Sequence, residues 1–216
     1  MLKYIFFDLD GTLTDSSVGI IKAVKYALLN FDIEINDTQF LRRYIGPPLM
    51  DCFKEFNGLS EEESILALKY YRDYYNVTGK FENKPYEGVV EMLAMLNEKG
   101  LRCVIATSKP EDVMGDVLNH FDLYKYFYSA CGATLDSKRN KKSAVIKYAL
   151  EKLSINPKEC IMVGDHKHDI GGAHENGMKA IAVTYGYGER RELTQQNPEY
   201  IVNSVKELKD ILLTLI

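Results

Sequence analysis

Tyr4-Ile5-Phe6-Phe7 runs directly into Asp8-Leu9-Asp10-Gly11-Thr12, and this stretch decides the reading of the fold. An unbroken apolar run of that kind belongs in a central strand of a parallel sheet covered on both faces, and such sheets bind ligands beyond the carboxyl ends of their strands. Asp8 and Asp10 therefore fall where a ligand would bind. Residues two apart in extended chain share a face, so both carboxylates can address one reacting centre, and Gly11 permits the sharp turn that follows. Carboxylate plus cation is the chemistry suggested. By itself an Asp-x-Asp pair arises by chance about once in 400 residues, so the rest of the chain has to add to it.

The 216 residues suffice for one sizeable core, or for a core with a smaller inserted domain. A net charge of -4 at pH 7 leaves no basic excess for nucleic acid as an obligatory partner, without excluding a nucleotide. Phosphate chemistry would then rest on local cations. Cys52, Cys103, Cys131 and Cys160 form no Cys-x-x-Cys pair, and Cys103 and Cys160 lie in apolar runs, so reduced, buried thiols are expected. No stretch has the pattern of a signal peptide or the length of a membrane span. The expectation is a soluble cytoplasmic protein, monomer or homodimer, whose partner is a small molecule rather than nucleic acid or membrane.

After the first strand the apolar residues recur at helical spacing over about 16–75, as Ile20, Ile21, Val24, Ala27 and Leu28 illustrate. Gly46-Pro47-Pro48 and Asn57-Gly58 break this region, and Ser60 before Glu61, Glu62 and Glu63 reads as an N-cap with an acidic first turn. From Tyr86 onward strands and helices alternate. Helices are expected over 88–99, 111–120, 143–153, 170–176 and 205–213, with strands over 102–106, 127–130, 160–163 and 180–183. Repeated βα units imply a doubly wound parallel sheet of Rossmann-like type. The helical block is then an insertion: an α/β core over 1–15 and 82–216, and a helical domain over 16–81, joined at two strands that make a hinge.

Further features fall beyond expected strand ends. Thr107-Ser108 offers hydroxyls and N–H groups suited to a phosphoryl oxygen. Lys141-Lys142 opens a helix, and one of the pair would supply a cation for a transferring phosphoryl group. Gly164-Asp165-His166-Lys167-His168-Asp169 brings a second acidic pair, which with Asp8 would complete an oxygen-ligand Mg²⁺ site.

This ordered set resembles the haloacid dehalogenase-like hydrolases, whose phosphatase members carry DxDGT, a Thr or Ser after the second strand, a Lys, and GDxxxD. The likeness spans nearly the whole chain, and the insertion is similar to the cap of the subgroup with phosphoglycolate phosphatases, β-phosphoglucomutases and 5′-nucleotidase-like enzymes. The resemblance implies a Mg²⁺-dependent phosphatase of a small phosphomonoester, phosphoglycolate or a nucleoside 5′-monophosphate. It makes Asp8 the nucleophile that becomes an aspartyl phosphate, and Asp10 the general acid and then the general base. Mg²⁺ would be held by Asp8, the Asp10 main-chain carbonyl and Asp165, with Asp169 holding a water of the ion or orienting its neighbours. Thr107 and the Ser108 N–H would bind phosphate.

Many capped members carry Lys-Pro-x-Pro at the lysine motif, whereas this chain has Asp136-Ser137-Lys138-Arg139-Asn140-Lys141-Lys142, similar to the D-x-x-R-x-x-K of the 5′-nucleotidase-like branch. Spacing to the following helix favours Lys142 over Lys141. His166 and His168, with His174, would suit a transition metal or be loop residues at the rim; the carboxylate and carbonyl set favours Mg²⁺. Arg42-Arg43-Tyr44-Ile45-Gly46 resembles the cap loop that faces the active site in this family, which makes Arg43 and Gly46 substrate-binding candidates, against a mere helix break. Tyr70, Tyr71, Tyr74 and Tyr75 would pack one helix on another or stack on a base. The segment over 184–191 reads as a structural loop. Competing readings are a sugar-phosphate mutase of the same family, a phosphoaccepting signalling module, which the helical insertion and late GDxxxD disfavour, and a non-catalytic binding protein.

Overall fold

The computed structural model describes residues 2–134 and 139–216. The contacts within the chain divide it into two compact units, one of Met1–Asp15 with Pro85–Ile216 and one of Ser16–Lys84.

The first unit opens with β1 (Tyr4–Phe7). The second unit contains α1 (Ser17–Leu29), the single-turn α2 (Thr38–Leu41), α3 (Leu49–Asn57) and α4 (Glu61–Tyr75). The chain then returns to the first unit with α5 (Val89–Glu98), β2 (Arg102–Pro110), α6 (Glu111–His120), β3 (Phe127–Ala133), α7 (Lys142–Leu153), β4 (Cys160–Gly164) and α8 (Lys167–Glu175). It ends with β5 (Lys179–Val183), α9 (Arg190–Gln195), β6 (Tyr200–Val202) and α10 (Val205–Thr214).

The six strands form one sheet in the order β3-β2-β1-β4-β5-β6, and each neighbouring pair is parallel. Strand order reverses at β1, which pairs with β2 on one side and β4 on the other. That point is the switch at which a parallel sheet opens a crevice beyond its strand ends. Alternation along the strands builds two cores. Ile5, Phe7, Cys103, Ile105, Ile161, Val163, Ile181 and Val183 pack with Leu93 of α5, Val117 of α6 and Leu208 of α10. Phe6, Val104, Ala106, Cys160, Met162, Ala180 and Ala182 pack with Val145 and Ile146 of α7, Ile170 of α8 and Leu193 of α9. Both faces of β1 are thus covered, which is why its four residues are all apolar or aromatic.

Three elements depart from the expected pattern. β2 runs on to Pro110 and β3 to Ala133, and α8 starts at Lys167, in the first turn after the acidic loop. β6 and α9 had no sequence expectation: Tyr200–Val202 is a short edge strand preceded by polar residues, too brief for a periodic signal. The four cysteines are free and buried, and burial pushes the Cys103 and Cys160 thiols up to about 12. Among the described residues no helix is long and apolar enough to cross a membrane.

In the second unit Ser60 caps α4 as expected, accepting from Glu63 N at 3.2 Å while Glu63 Oε2 accepts from Ser60 N at 2.8 Å. Gly58, with φ of +69°, closes α3 in the left-handed region. Tyr71 and Tyr75 are buried and stacked, with centroids 5.1 Å apart, and Tyr74 and Tyr70 meet Tyr26 and Phe31 beside α1. The tyrosine group therefore packs helix on helix.

Phe6 is fully buried in the core beneath α7 and α8. Phe6→Ala should lower unfolding free energy by about 3–5 kcal/mol in chemical denaturation. A loss under about 1 kcal/mol would mean that the site collapses around the deletion and that this face is not tightly packed.

Candidate active site

The carboxyl ends of β1 and β4 bring Asp8, Asp165 and Asp169 together. Asp8 follows β1 directly, Asp165 follows β4, and Asp169 lies in the first turn of α8. Their exposures are 8%, 3% and 0%, and one carboxylate oxygen from each lies within 4.8 Å of the others.

The turn after β1 makes this approach possible. The amides of Thr12, Leu13 and Thr14 all point to the Leu9 carbonyl, and Gly11 N donates to Thr14 O at 2.8 Å. Gly11 has φ of +83°, and a Cβ there would fall 2.2 Å from Asp165 Oδ2. Glycine is thus required both by the backbone and by the neighbouring carboxylate. Thr12 Oγ1 donates to Asp165 Oδ1 at 3.2 Å, and Tyr187 N donates to Asp165 Oδ2 at 2.8 Å. Tyr185 Oη donates to Thr12 O at 2.9 Å, and Tyr187 Oη to Asp15 at 2.9 Å. The 184–188 segment, read from sequence as a structural loop, is therefore a strap across the acidic turn.

Lys142 is the counter-charge. Its side chain is 4% exposed, and Nζ lies 2.7 Å from Asp8 Oδ1 and 2.8 Å from Asp169 Oδ1. Its directed hydrogen bond goes to the Ala106 carbonyl at 3.1 Å. The ammonium meets the two acids as ion pairs, and both Oδ1 atoms are buried without a directed hydrogen-bond partner. Burial alone would favour a neutral amine, but Asp169 and then Asp8 outweigh it and raise the lysine above its ordinary value. The acids show the converse. Burial raises Asp165 well above the usual carboxylate range, with Asp169 and Asp8 adding, and burial likewise raises Asp169 against the opposing pull of Lys142. A single ammonium does not balance the negative charge gathered here.

Those observations test the fit of a cation. Three buried carboxylates, with an orphaned oxygen on Asp8 and on Asp169 and a burial cost on the charged forms of Asp165 and Asp169, offer an all-oxygen donor set suited to a hard divalent ion. The histidines stand apart from that set. His166 caps α8, accepting from His168 N at 3.5 Å while Asp169 Oδ2 accepts from His166 N at 2.9 Å. Burial, with His168 and Lys167 adding, pushes His166 down to about 4. His174 lies 3.6 Å from Glu199.

The remaining candidates are distributed as follows. Thr107, just past Ala106 where β2 loses its register with β3, is 2% exposed, whereas Ser108 is exposed and Lys141 is the exposed residue before α7. Arg139 reaches back to Gly132 O at 2.9 Å and to Glu111, while Asp136 of the same pattern lies outside the described residues. Arg43 and Gly46 belong to the second unit. Arg43 stacks over Phe56 at 4.1 Å and Phe40 at 5.2 Å, and Gly46 is exposed with φ of +103°. Asp10 points one oxygen at a residue that sequence reasoning missed, with Lys109 Nζ 2.6 Å from Asp10 Oδ2. Its only sequence signal is its place two residues beyond Thr107.

Known proteins agree with this arrangement. The model of the haloacid dehalogenase-like hydrolases matches residues 5–183. A 5′-nucleotidase from Pseudomonas aeruginosa is 36% identical over 98% of this chain and 96% of its own. Tyrosine-protein kinase PtkA from Mycobacterium tuberculosis is 33% identical over 97% of this chain and 72% of its own. A solved structure described as a predicted phosphatase from Clostridium acetobutylicum superposes with a TM-score of 0.94 at 45% identity, covering 99% of both chains. With its acids at the switch point of a parallel sheet and these likenesses along its length, the chain belongs to the haloacid dehalogenase-like hydrolase family, among its phosphoric monoester hydrolases.

Proposed function

We propose that this phosphatase hydrolyses a small cytosolic phosphomonoester in two steps through an aspartyl phosphate on Asp8, with Mg²⁺ as cofactor. The observation that carries the reading is the buried grouping of Asp8, Asp165 and Asp169 around Lys142. Likeness to the Pseudomonas 5′-nucleotidase favours a nucleoside 5′-monophosphate as substrate, with phosphoglycolate next on the family resemblance.

In the first step an Asp8 oxygen attacks phosphorus, the bond to the leaving oxygen breaks, and Asp10 gives that oxygen a proton. In the second, Asp10 takes a proton from water as the water oxygen attacks phosphorus, and the Asp8 carboxylate leaves. Splitting the reaction lowers each barrier. Lys142, ion-paired with Asp8, neutralises charge on the transferred group, and Thr107 binds a phosphoryl oxygen. Asp8, the Asp10 carbonyl and Asp165 would hold Mg²⁺, with Asp169 behind them. Bound there, the ion supplies positive charge that offsets repulsion between the Asp8 carboxylate and the substrate dianion.

The inserted unit is assigned as the cap. It joins the α/β unit by two chain connections, after Asp15 and before Pro85. Such a lid uses leaving-group binding to order a site, with Arg43 and Gly46 as its selective residues.

Phosphate release across 5′-mononucleotides, phosphoglycolate and a sugar phosphate tests the reading. Asp8→Asn should abolish release while the melting curve stays cooperative, and chelation should stop wild-type turnover until Mg²⁺ is restored. Near wild-type release from Asp8→Asn, or activity indifferent to exhaustive chelation, contradicts the mechanism. Transfer of labelled phosphate from ATP to a protein tyrosine, without ester hydrolysis, would favour the function for which PtkA is named.

Lys142→Ala should cost about 3–5 kcal/mol of stability by stranding buried acids, and should lower kcat/KM by roughly 100-fold or more. Lys141→Ala should change stability by less than about 0.5 kcal/mol. The reverse ranking would give the role to Lys141. Gly46→Phe should impair natural esters more than p-nitrophenyl phosphate; equal loss on both, or none, would remove the 42–46 loop from substrate selection.

A further inference from the structure

Lys109 belongs to no motif of the sequence, yet its side chain is 5% exposed and its ammonium meets Asp10. The backbone explains how it gets there. Between the pairs Ala106–Cys131 and Pro110–Ala133, β2 carries two more residues than β3, so Thr107, Ser108 and Lys109 arch out of the ladder. A bulge of this kind re-aims side chains beside a site. Lys109 N donates to Thr107 Oγ1 at 3.3 Å, which closes the arch. The arch rests on β3 at Gly132, where a Cβ would stand 2.6 Å from the Lys109 carbonyl oxygen. Thr107 and Lys109 are buried, and Ser108 between them is exposed.

The two lysines of the site divide its aspartates. Lys142 serves Asp8 and Asp169, and Lys109 serves Asp10. Lys109 engages Asp10 Oδ2, while Asp10 Oδ1 is buried and has no hydrogen-bond partner. A carboxylate tied at one oxygen no longer rotates freely, so its second oxygen keeps one direction. Proton transfer depends on that direction, because donor and acceptor must lie within hydrogen-bond reach.

We infer that Lys109 is a positioning residue: it fixes the Asp10 carboxylate through Oδ2 and leaves Oδ1 as the oxygen that hands a proton to the leaving group and takes one from water. This rests on the acid–base reading of Asp10 given above. The proton passes from Asp10 Oδ1 to the leaving oxygen as the bond from phosphorus to that oxygen breaks, and returns from water in the second step. Lys109 itself neither gains nor loses one.

The test compares an alkyl phosphate, whose leaving oxygen needs the proton, with p-nitrophenyl phosphate, whose phenolate leaves with little help. Lys109→Met should lower kcat on the alkyl ester by roughly 100-fold and on the aryl ester much less, with KM nearly unchanged. Lys109→Arg should recover part of the loss. In an Asp10→Asn background, the Met substitution should add less than about a twofold loss, because the residue acts only through Asp10. Raised KM with kcat kept, an equal loss on both esters, an undiminished second loss in the Asp10→Asn background, or no loss at all would each overturn the inference. If Lys109→Met fails to fold in a melting experiment, Lys109→Gln and Lys109→Arg are read in the same comparison. Absence of wild-type activity on every ester would instead overturn the proposed function, so the two failures are distinguishable.

Discussion

The ammonium of Lys142, buried between Asp8 and Asp169, is the contact on which the rest of the site depends. Carboxylates taken out of water are costly unless a cation and hydrogen bonds compensate them. Here one lysine faces three buried acids, and the local chain is organised around that imbalance. α7 starts at Lys142 itself, the Ala106 carbonyl orients the ammonium, and the Thr12 hydroxyl and Tyr187 amide hold Asp165. What these donors leave uncompensated is what a divalent ion would supply.

The sheet makes the convergence possible without long loops. β1 lies where the strand order reverses, so its end is flanked by the ends of β2 and β4. Each neighbour delivers one part: β4 delivers Asp165, β2 delivers Thr107 and the Lys109 arch. The two apolar faces fix the register that sets these positions, since a slip of one residue would exchange Phe6 and Phe7 between cores. Stability and site geometry therefore rest on the same strands.

The legible parts of the sequence were those with local signals. Apolar runs ending in acids gave away β1 and β4, helical spacing separated the inserted block, and Ser60 with Glu63 announced the start of α4. Asp8, Asp165, Asp169 and Lys142 were all named from motif and spacing, and the structure gathers them. Lys109 was not legible because its approach to Asp10 depends on two extra residues in β2 relative to β3, a property of strand pairing. The strap at Tyr185 and Tyr187 escaped for a similar reason: its partners Thr12 and Asp15 lie over 170 positions away. β6 is too short to carry a pattern. Glycine spacing, by contrast, was informative at Gly11, where both the turn and the Asp165 carboxylate forbid a side chain.

Asp8 as the covalent acceptor is the central claim, and direct capture of the phosphorylated residue tests it. Asp10→Asn should slow the return of the phosphoryl group to water, so an aryl ester labelled in its phosphate can be turned over with Mg²⁺ and quenched in acid. The account predicts label on the peptide carrying Asp8, stable to acid and released by hydroxylamine as an acyl phosphate is. Label on any other residue, or continued phosphate release with no label on the protein, would contradict it.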